Sequence, residues 1–203
     1  SQIWVDGLSS LLATGPTGGG LIQVGGSWQH SDPAVRQAVQ TWIGTGAVLD
    51  ASATRKGNGG TVVVWSDIKN PQGATAVHGT LQAKAGPQGG DGGRIETSGS
   101  WLTVDGIQIS TLAPQGQSGT WLLDPNDLTI TNSTMGSPPP STSGVSPLPP
   151  YSSTTTQITT DPAPTTSTTT STLTFINLNS ALTQSGSVEV VASGNITVTG
   201  TAG

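Results

Sequence analysis

Residues Gly46 to Asp67 read GAVLDASATRKGNGGTVVVWSD. The stretch holds two short strands of different character. GAVLDASA (46–53) follows a Gly-x-apolar-x-small pattern, and GGTVVVWSD (59–67) follows a glycine pair. Side chains on a strand alternate between faces, so Val62 and Val64 share one face while Val63 and Trp65 share the other. β-branched residues bounded by glycine turns suit a half-buried pleated surface.

Both patterns recur on either side. The glycine-pair kind returns as GGLIQVGG (19–26), GGRIETSG (92–99) and SGTWLLDP (118–125). The second kind returns as GTLQAKAG (79–86) and GIQISTL (106–112). The two alternate strictly, and such self-similarity is the mark of a stacked repeat. The spacing is uneven because the loops differ in length, which a β-solenoid tolerates when loops leave on one side. The pattern predicts an all-β parallel solenoid over residues 1–131 and 173–203, each Gly-Gly strand stacked on the next at about 4.8 Å.

SGTWLLDPNDLTI (118–130) fits the same scheme. Trp121–Leu123 and Leu128–Ile130 read as strands. Asp124-Pro125-Asn126-Asp127 is turn chemistry, since proline presets φ and Asn and Asp bond their own backbone. Asp124 and Asp127 are therefore expected at a coil corner. SDPAVRQAVQTW (31–42) is expected to run as a loop or helical turn to about Ala38, then as a strand from Val39 to Ile43.

Composition narrows the class. The chain has 203 residues, of which 29 are glycine and only 8% are charged, against about 25% charged in ordinary globular proteins. With six basic residues and a net charge of -5, it has no basic stripe to neutralise phosphates, which argues against nucleic-acid binding. Cysteine is absent, so disulfides and thiolate metal sites are excluded. No apolar run approaches the roughly 20 residues of a membrane helix. The start, SQIWVDGLSS, lacks the basic and apolar regions of a signal peptide and reads as a mature or trimmed end.

From residue 132 to 172 the chain is dominated by Ser, Thr and Pro and has few apolar residues. So little apolar surface does not offset ordering entropy, which predicts a surface loop or linker open to O-glycosylation. Strands are expected again at Leu173–Ile176, Ser187–Val191 and Ile196–Val198. One helical turn is expected within NLNSALTQSG (177–186).

Taken in order, the Gly-Gly-x-Ile-x-Val-Gly-Gly run at 19–26, VVVWSD at 62–67, GGDGG at 89–93 followed by IETSG, and LLDPNDLTI at 122–130 form a set. Together with the tail LNSALTQSGSVEVVASGNITV, they resemble the filamentous-haemagglutinin-like exoproteins of bacterial two-partner secretion. The resemblance covers nearly the whole chain outside the Thr/Pro segment. It implies a right-handed parallel β-helix, export through an outer-membrane secretion partner, and a secreted or cell-surface adhesive rod. Host or neighbouring-cell glycans and proteins would be its partners. The alternative is a glycan-binding or glycan-cleaving β-helix.

A glycan-cleaving reading requires carboxylates converging on one strand face. Asp50, Asp67, Asp91, Glu96 and Asp105 are the candidates. Arg94 and Glu96 lie two apart on one strand, which predicts a surface ion pair. GGDGG lacks the spaced acidic residues of a calcium-binding repeat. His30 and His78 stand far apart, and no nucleophile motif accompanies them. The expectation is no enzyme, no cofactor and no metal. Trp28, Trp65, Trp101 and Trp121 fall in or just after glycine-pair strands. An outward ladder of them would make a carbohydrate platform or a packing surface, and an inward one would be core. Asn132 and Asn195 match glycosylation acceptors by chance. Both ends, SQIWVDG and NITVTGTAG, are strand-like without a charged or helical cap. Further coils or a neighbouring copy stacked end to end are expected to cover them.

Overall fold

The computed structural model describes residues 1–131 and 171–199. The chain is mostly β, its strands pair in parallel, and it contains one α-helix among the described residues. Strands come in sets of three. The first circuit holds β1 (Gln2–Val5), β2 (Ser10–Leu12) and β3 (Leu21–Val24). The second holds β4 (Gln40–Ile43), β5 (Val48–Asp50) and β6 (Thr61–Trp65). The third holds β7 (Ala74–Val77), β8 (Thr80–Gln82) and β9 (Arg94–Gly99). The fourth holds β10 (Trp101–Thr103), β11 (Gln108–Ser110) and β12 (Thr120–Pro125).

Each member of a set joins a different sheet, and successive circuits add one strand to each sheet. The Gly-x-apolar strands form the second sheet, β2-β5-β8-β11, and the glycine-pair strands form the third, β3-β6-β9-β12. Both stack as the sequence predicts. The first sheet, begun by β1, β4, β7 and β10, is a third kind of strand outside the two patterns: β1 and β4 are the expected strands at SQIWVDG and Val39–Ile43, whereas β7 and β10 lie where none is expected. Its members ATAV and WLT carry no glycine pair and little β-branched bulk.

Register puts like on like. Leu11, Leu49, Leu81 and Ile109 form one inward column on the second sheet. Ile22, Val62, Ile95 and Trp121 form another on the third. With Val5, Ile43 and Val77 from the first sheet they make one core cluster. Burial of each such side chain stabilises by about 1.5–3 kcal/mol. Thr41 and Thr75 also point in, at the corner between third and first sheets. Their hydroxyls donate to the carbonyls of Trp65 and Ser98 at 2.6 and 2.7 Å, so neither is left unpaired.

The glycine pairs close the circuits. The N–H groups of Gly20, Gly60, Gly93 and Gly119 donate to the carbonyls of Ala13, Ala51, Ala83 and Thr111 at 2.7–2.8 Å, turning the chain from second sheet to third. A Cβ on Gly60, Gly93 or Gly119 would collide with the carbonyl of the equivalent glycine one circuit before. A Cβ on Gly19, Gly59 or Gly92 would collide with the carbonyl of Ala51, Ala83 or Thr111 one circuit after. Backbone approach this close admits no side chain on either glycine.

The fifth circuit departs from the simple stack. β13 (Leu128–Thr131) and β14 (Ser171–Thr174) both join the first sheet, in the order β10-β14-β13. The later strand therefore fills the slot between two earlier ones. α1 (Phe175–Gln184) follows, then β15 (Ser187–Val190) beside β12 and β16 (Ile196–Thr199) beside β13. The expected strand at Leu173–Ile176 instead runs from Ser171 to Thr174, and the expected single helical turn is a ten-residue helix. Leu178 and Ala181, three apart, share the face that meets the core. The helix stands where a fifth strand of the second sheet would be, and the Thr111 N–H donates to the Gln184 carbonyl at 2.9 Å. It covers the β11 edge of the second sheet, while β16 at the end stretch is the strand that the sequence predicts.

Of the expected acidic corner, Asp124 and Pro125 instead continue β12, and Asn126 and Asp127 make the turn that ties this arrangement together. Asn126 Nδ2 donates to Ser100 Oγ at 2.9 Å, and Asn126 Oδ1 accepts from Ser193 Oγ at 2.8 Å. Asp127 Oδ1 accepts from the Asn195 N–H at 2.8 Å, while its carbonyl accepts from the Ser171 N–H at 3.0 Å. The expected Ser/Thr/Pro loop and Asn132 lie outside the described residues, apart from Ser171 and Thr172, which belong to β14.

Candidate functional site

Two outward faces carry the chemistry-bearing side chains. On the first sheet, Trp4 pairs in register with Trp42, Trp42 with Ala76, and Trp101 with Ala74. The alanines leave room for large rings beside them, and Trp42, Trp101 and the two alanines form a cluster separate from the main core. Trp4 lies with its ring centroid 4.4 Å from that of Trp42, tilted by 51°. Trp4 is 39% exposed and Trp42 only 9%. His78 meets Trp42 edge-on at 6.3 Å, and its Nδ1–H donates to the Asp105 carbonyl at 2.7 Å. Gln2 Nε2 donates to Gln40 Oε1 at 2.7 Å, setting an amide pair beside the rings. The Trp101 indole N–H is buried without a hydrogen-bond partner.

The second face is the outer side of the third sheet. Val63, Trp65, Glu96 and Ser98 point outward by register, yet all four are buried. Residues 25–38 cover them. The chain turns out of β3 at Gly25 with φ +87° and makes a 3-10 turn at Trp28–His30. It rejoins the body where the Ala38 N–H donates to the Gly25 carbonyl at 2.7 Å. Trp65 Nε1 donates to Gln37 Oε1 at 2.9 Å, and His30 stacks on the Trp65 ring at 6.4 Å. The helical turn expected from Asp32 is a single tight turn, in which Asp32 Oδ1 accepts from the Ala34 N–H at 2.9 Å.

Glu96 is the surprise of this face. It is fully buried, its Oε2 accepts from the Gln29 N–H at 2.9 Å, and its Oε1 bonds Ser98 Oγ at 2.9 Å. Arg94 does not form the expected surface ion pair with it. The guanidinium lies 4.2 Å over the Trp28 ring, and its Nε donates to Thr61 Oγ1 at 3.2 Å. Burial pushes the Glu96 carboxyl up to about 7, with the Asp124 charge adding to the rise. The Gln29 and Ser98 hydrogen bonds and the Arg94 charge oppose it. Burial also raises Asp124. The strand pattern around Arg94 gives no warning of this, because the cover comes from residues about 65 positions earlier.

The remaining candidates do not converge. Asp50 and Asp67 accept from the N–H groups of Ser52 and Lys69 and so close their own turns. Asp91 accepts from the Gln117 N–H at 2.9 Å, linking two circuits at the GGDGG turn. Trp121 points into the core and donates to Thr97 Oγ1 at 3.1 Å. Trp28 lies in the covering turn, and Trp101 belongs to the first sheet, so the four tryptophans are not one ladder. No group of three metal-ligating side chains occurs among the described residues, and no helix there is long and apolar enough to cross a membrane.

No family model matches the chain, and no curated protein matches it.

Proposed function

We propose that the chain is a segment of a secreted or cell-surface bacterial adhesive rod, wound as a right-handed parallel β-helix. The observation that carries this reading is the rotation of the strands: four successive circuits each add one strand to the same three parallel sheets, in unbroken register. Such a plan extends by repetition and presents its outer faces as continuous strips. The motif order from GGLIQVGG to LLDPNDLTI supports membership of the filamentous-haemagglutinin-like exoproteins, and with it export through an outer-membrane partner. Ile196 and Val198 pair with the inward-facing Leu128 and Ile130 and are 49% and 61% exposed, which supports stacking of a further coil or a second copy against β16.

The first-sheet strip is the adhesive face in this reading. Trp4 and Gln2 are the exposed members of this strip, backed by the buried Trp42 and Gln40, and they combine an aromatic ring with an uncharged hydrogen-bonding amide. That combination stacks on the C–H face of a neutral sugar and bonds its hydroxyls. Glu96, sealed from solvent, is out of reach of a glycan and argues against the glycan-cleaving alternative. The test is binding of the purified chain to arrays of neutral glycans. Trp4→Ala should weaken binding at least tenfold while leaving the circular-dichroism spectrum unchanged. Undiminished binding by Trp4→Ala removes the strip from the account, and release of reducing ends from the bound glycans restores the enzymatic alternative.

A further inference from the structure

We propose that residues 25–38 are a clasp that acid tightens: Glu96 holds it shut over Val63, Trp65 and Ser98 when its carboxyl carries a proton, and ionisation of that carboxyl loosens it. The geometry gives the reason. Both hydrogen-bond partners of Glu96 are neutral groups, the Gln29 amide and the Ser98 hydroxyl. A protonated carboxyl satisfies both: its hydroxyl donates to Ser98 Oγ while its carbonyl oxygen accepts from Gln29. An ionised one leaves a charge out of water hydrogen-bonded only to neutral donors and partly offset by the Arg94 charge, and opening the clasp hydrates it.

The clasp is also under tension at the point of attachment. Gln29 and His30 have φ of 45° and 52°, a left-handed conformation that non-glycine residues adopt only at a cost. The buried carboxyl shares the closure with the Trp65–Gln37 bond, the Arg94 guanidinium over Trp28 and the His30 ring on Trp65.

Burial sets the direction, and the surrounding charges adjust it. On the same strand, Arg94 is turned to Trp28 and Thr61. On β12, Asp124 adds negative charge, and on β15 Glu189 lies one strand further along. β6 presents Val63 opposite Glu96 and contributes no charge. The clasp itself brings His30, Asp32 and Arg36. A carboxyl near 7 when covered and near 4.5 when exposed makes opening rise with pH between those values and level off above them. The rise is about tenfold per pH unit, with a ceiling near 300-fold.

The test is amide hydrogen exchange of the whole chain at pH 5 to 7.5, read at Gln29 and across 26–38 and corrected for the intrinsic rate. Protection of Gln29 should fall about tenfold per pH unit and level off near 7, while a second-sheet segment such as 80–82 stays constant. Glu96→Gln, which keeps an acceptor for Gln29, should stay protected at every pH. Asp124→Asn keeps the carboxyl and should level off at a lower pH, so the test survives if Glu96→Gln does not fold. The proposal is overturned by constant protection in the unaltered chain, by the same fall in Glu96→Gln, or by an unmoved levelling point in Asp124→Asn.

Discussion

The backbone N–H of Gln29 donates to Glu96 Oε2 at 2.9 Å, joining two residues 67 positions apart in the sequence. This one bond couples the outer face of the third sheet to the segment that covers it. Glu96 has its carboxyl raised from the usual 4.5 to about 7 in the folded chain. Between those values the native state holds a proton that the unfolded state has released. Its contribution is fully present below pH 4.5 and is lost as pH rises through 7. The loss is about 3 kcal/mol at most, and the raised Asp124 adds to it in the same direction. Urea unfolding at pH 5 and pH 8 should show the chain more stable at pH 5. Glu96→Gln should remove most of the difference, and an equal difference in that variant would contradict the assignment.

The fold was legible where glycine marks it. The glycine pairs and the Gly-x-apolar runs set out two of the three sheets, because both signals come from local backbone demands at the circuit corners. The first sheet was harder to see. Ala74 and Ala76 replace the usual β-branched residues, since Trp101 and Trp42 lie beside them, and only the assembled register reveals that exchange. β14 filling the slot between β10 and β13 is a long-range event with no local signal. The candidate face was half legible. Tryptophans stood out by their number, but the burial of Glu96 depends on cover from a distant loop, and alternation along a strand does not record what lies above it.

Glycine packing makes a graded prediction. A Cβ on Gly93 meets the Gly60 carbonyl, whereas one on Gly106 meets nothing within 4 Å and pays only for its φ of +76°. Gly93→Ala should destabilise by about 3 kcal/mol through overpacking, and Gly106→Ala by about 1 kcal/mol through backbone strain. Thermal melts of the two variants give the comparison. Equal shifts would mean that the close approach of the circuits is not what excludes a side chain at position 93.

The acidic corner should act locally. Asp127 bonds the Asn195 N–H, and its carbonyl bonds that of Ser171. Asp127→Ala removes the side-chain bond alone, at a cost of about 1 kcal/mol. Hydrogen exchange should quicken in 195–199 and stay unchanged in β3 and β6. Quickening throughout the chain would instead make this corner part of the common core.

The central structural claim is that successive circuits stack in parallel, and paired cysteines test it directly because the chain has none of its own. Thr80 lies opposite Gln108, and Gln82 lies opposite Ser110. Strand neighbours at about 4.8 Å are within disulfide reach. In a parallel pair both double variants, Thr80→Cys with Gln108→Cys and Gln82→Cys with Ser110→Cys, should cross-link on mild oxidation, each shown by mass spectrometry as a closed intramolecular bridge. An antiparallel pairing reverses one strand against the other, so that at most one of the two bridges closes, and that result would contradict the account.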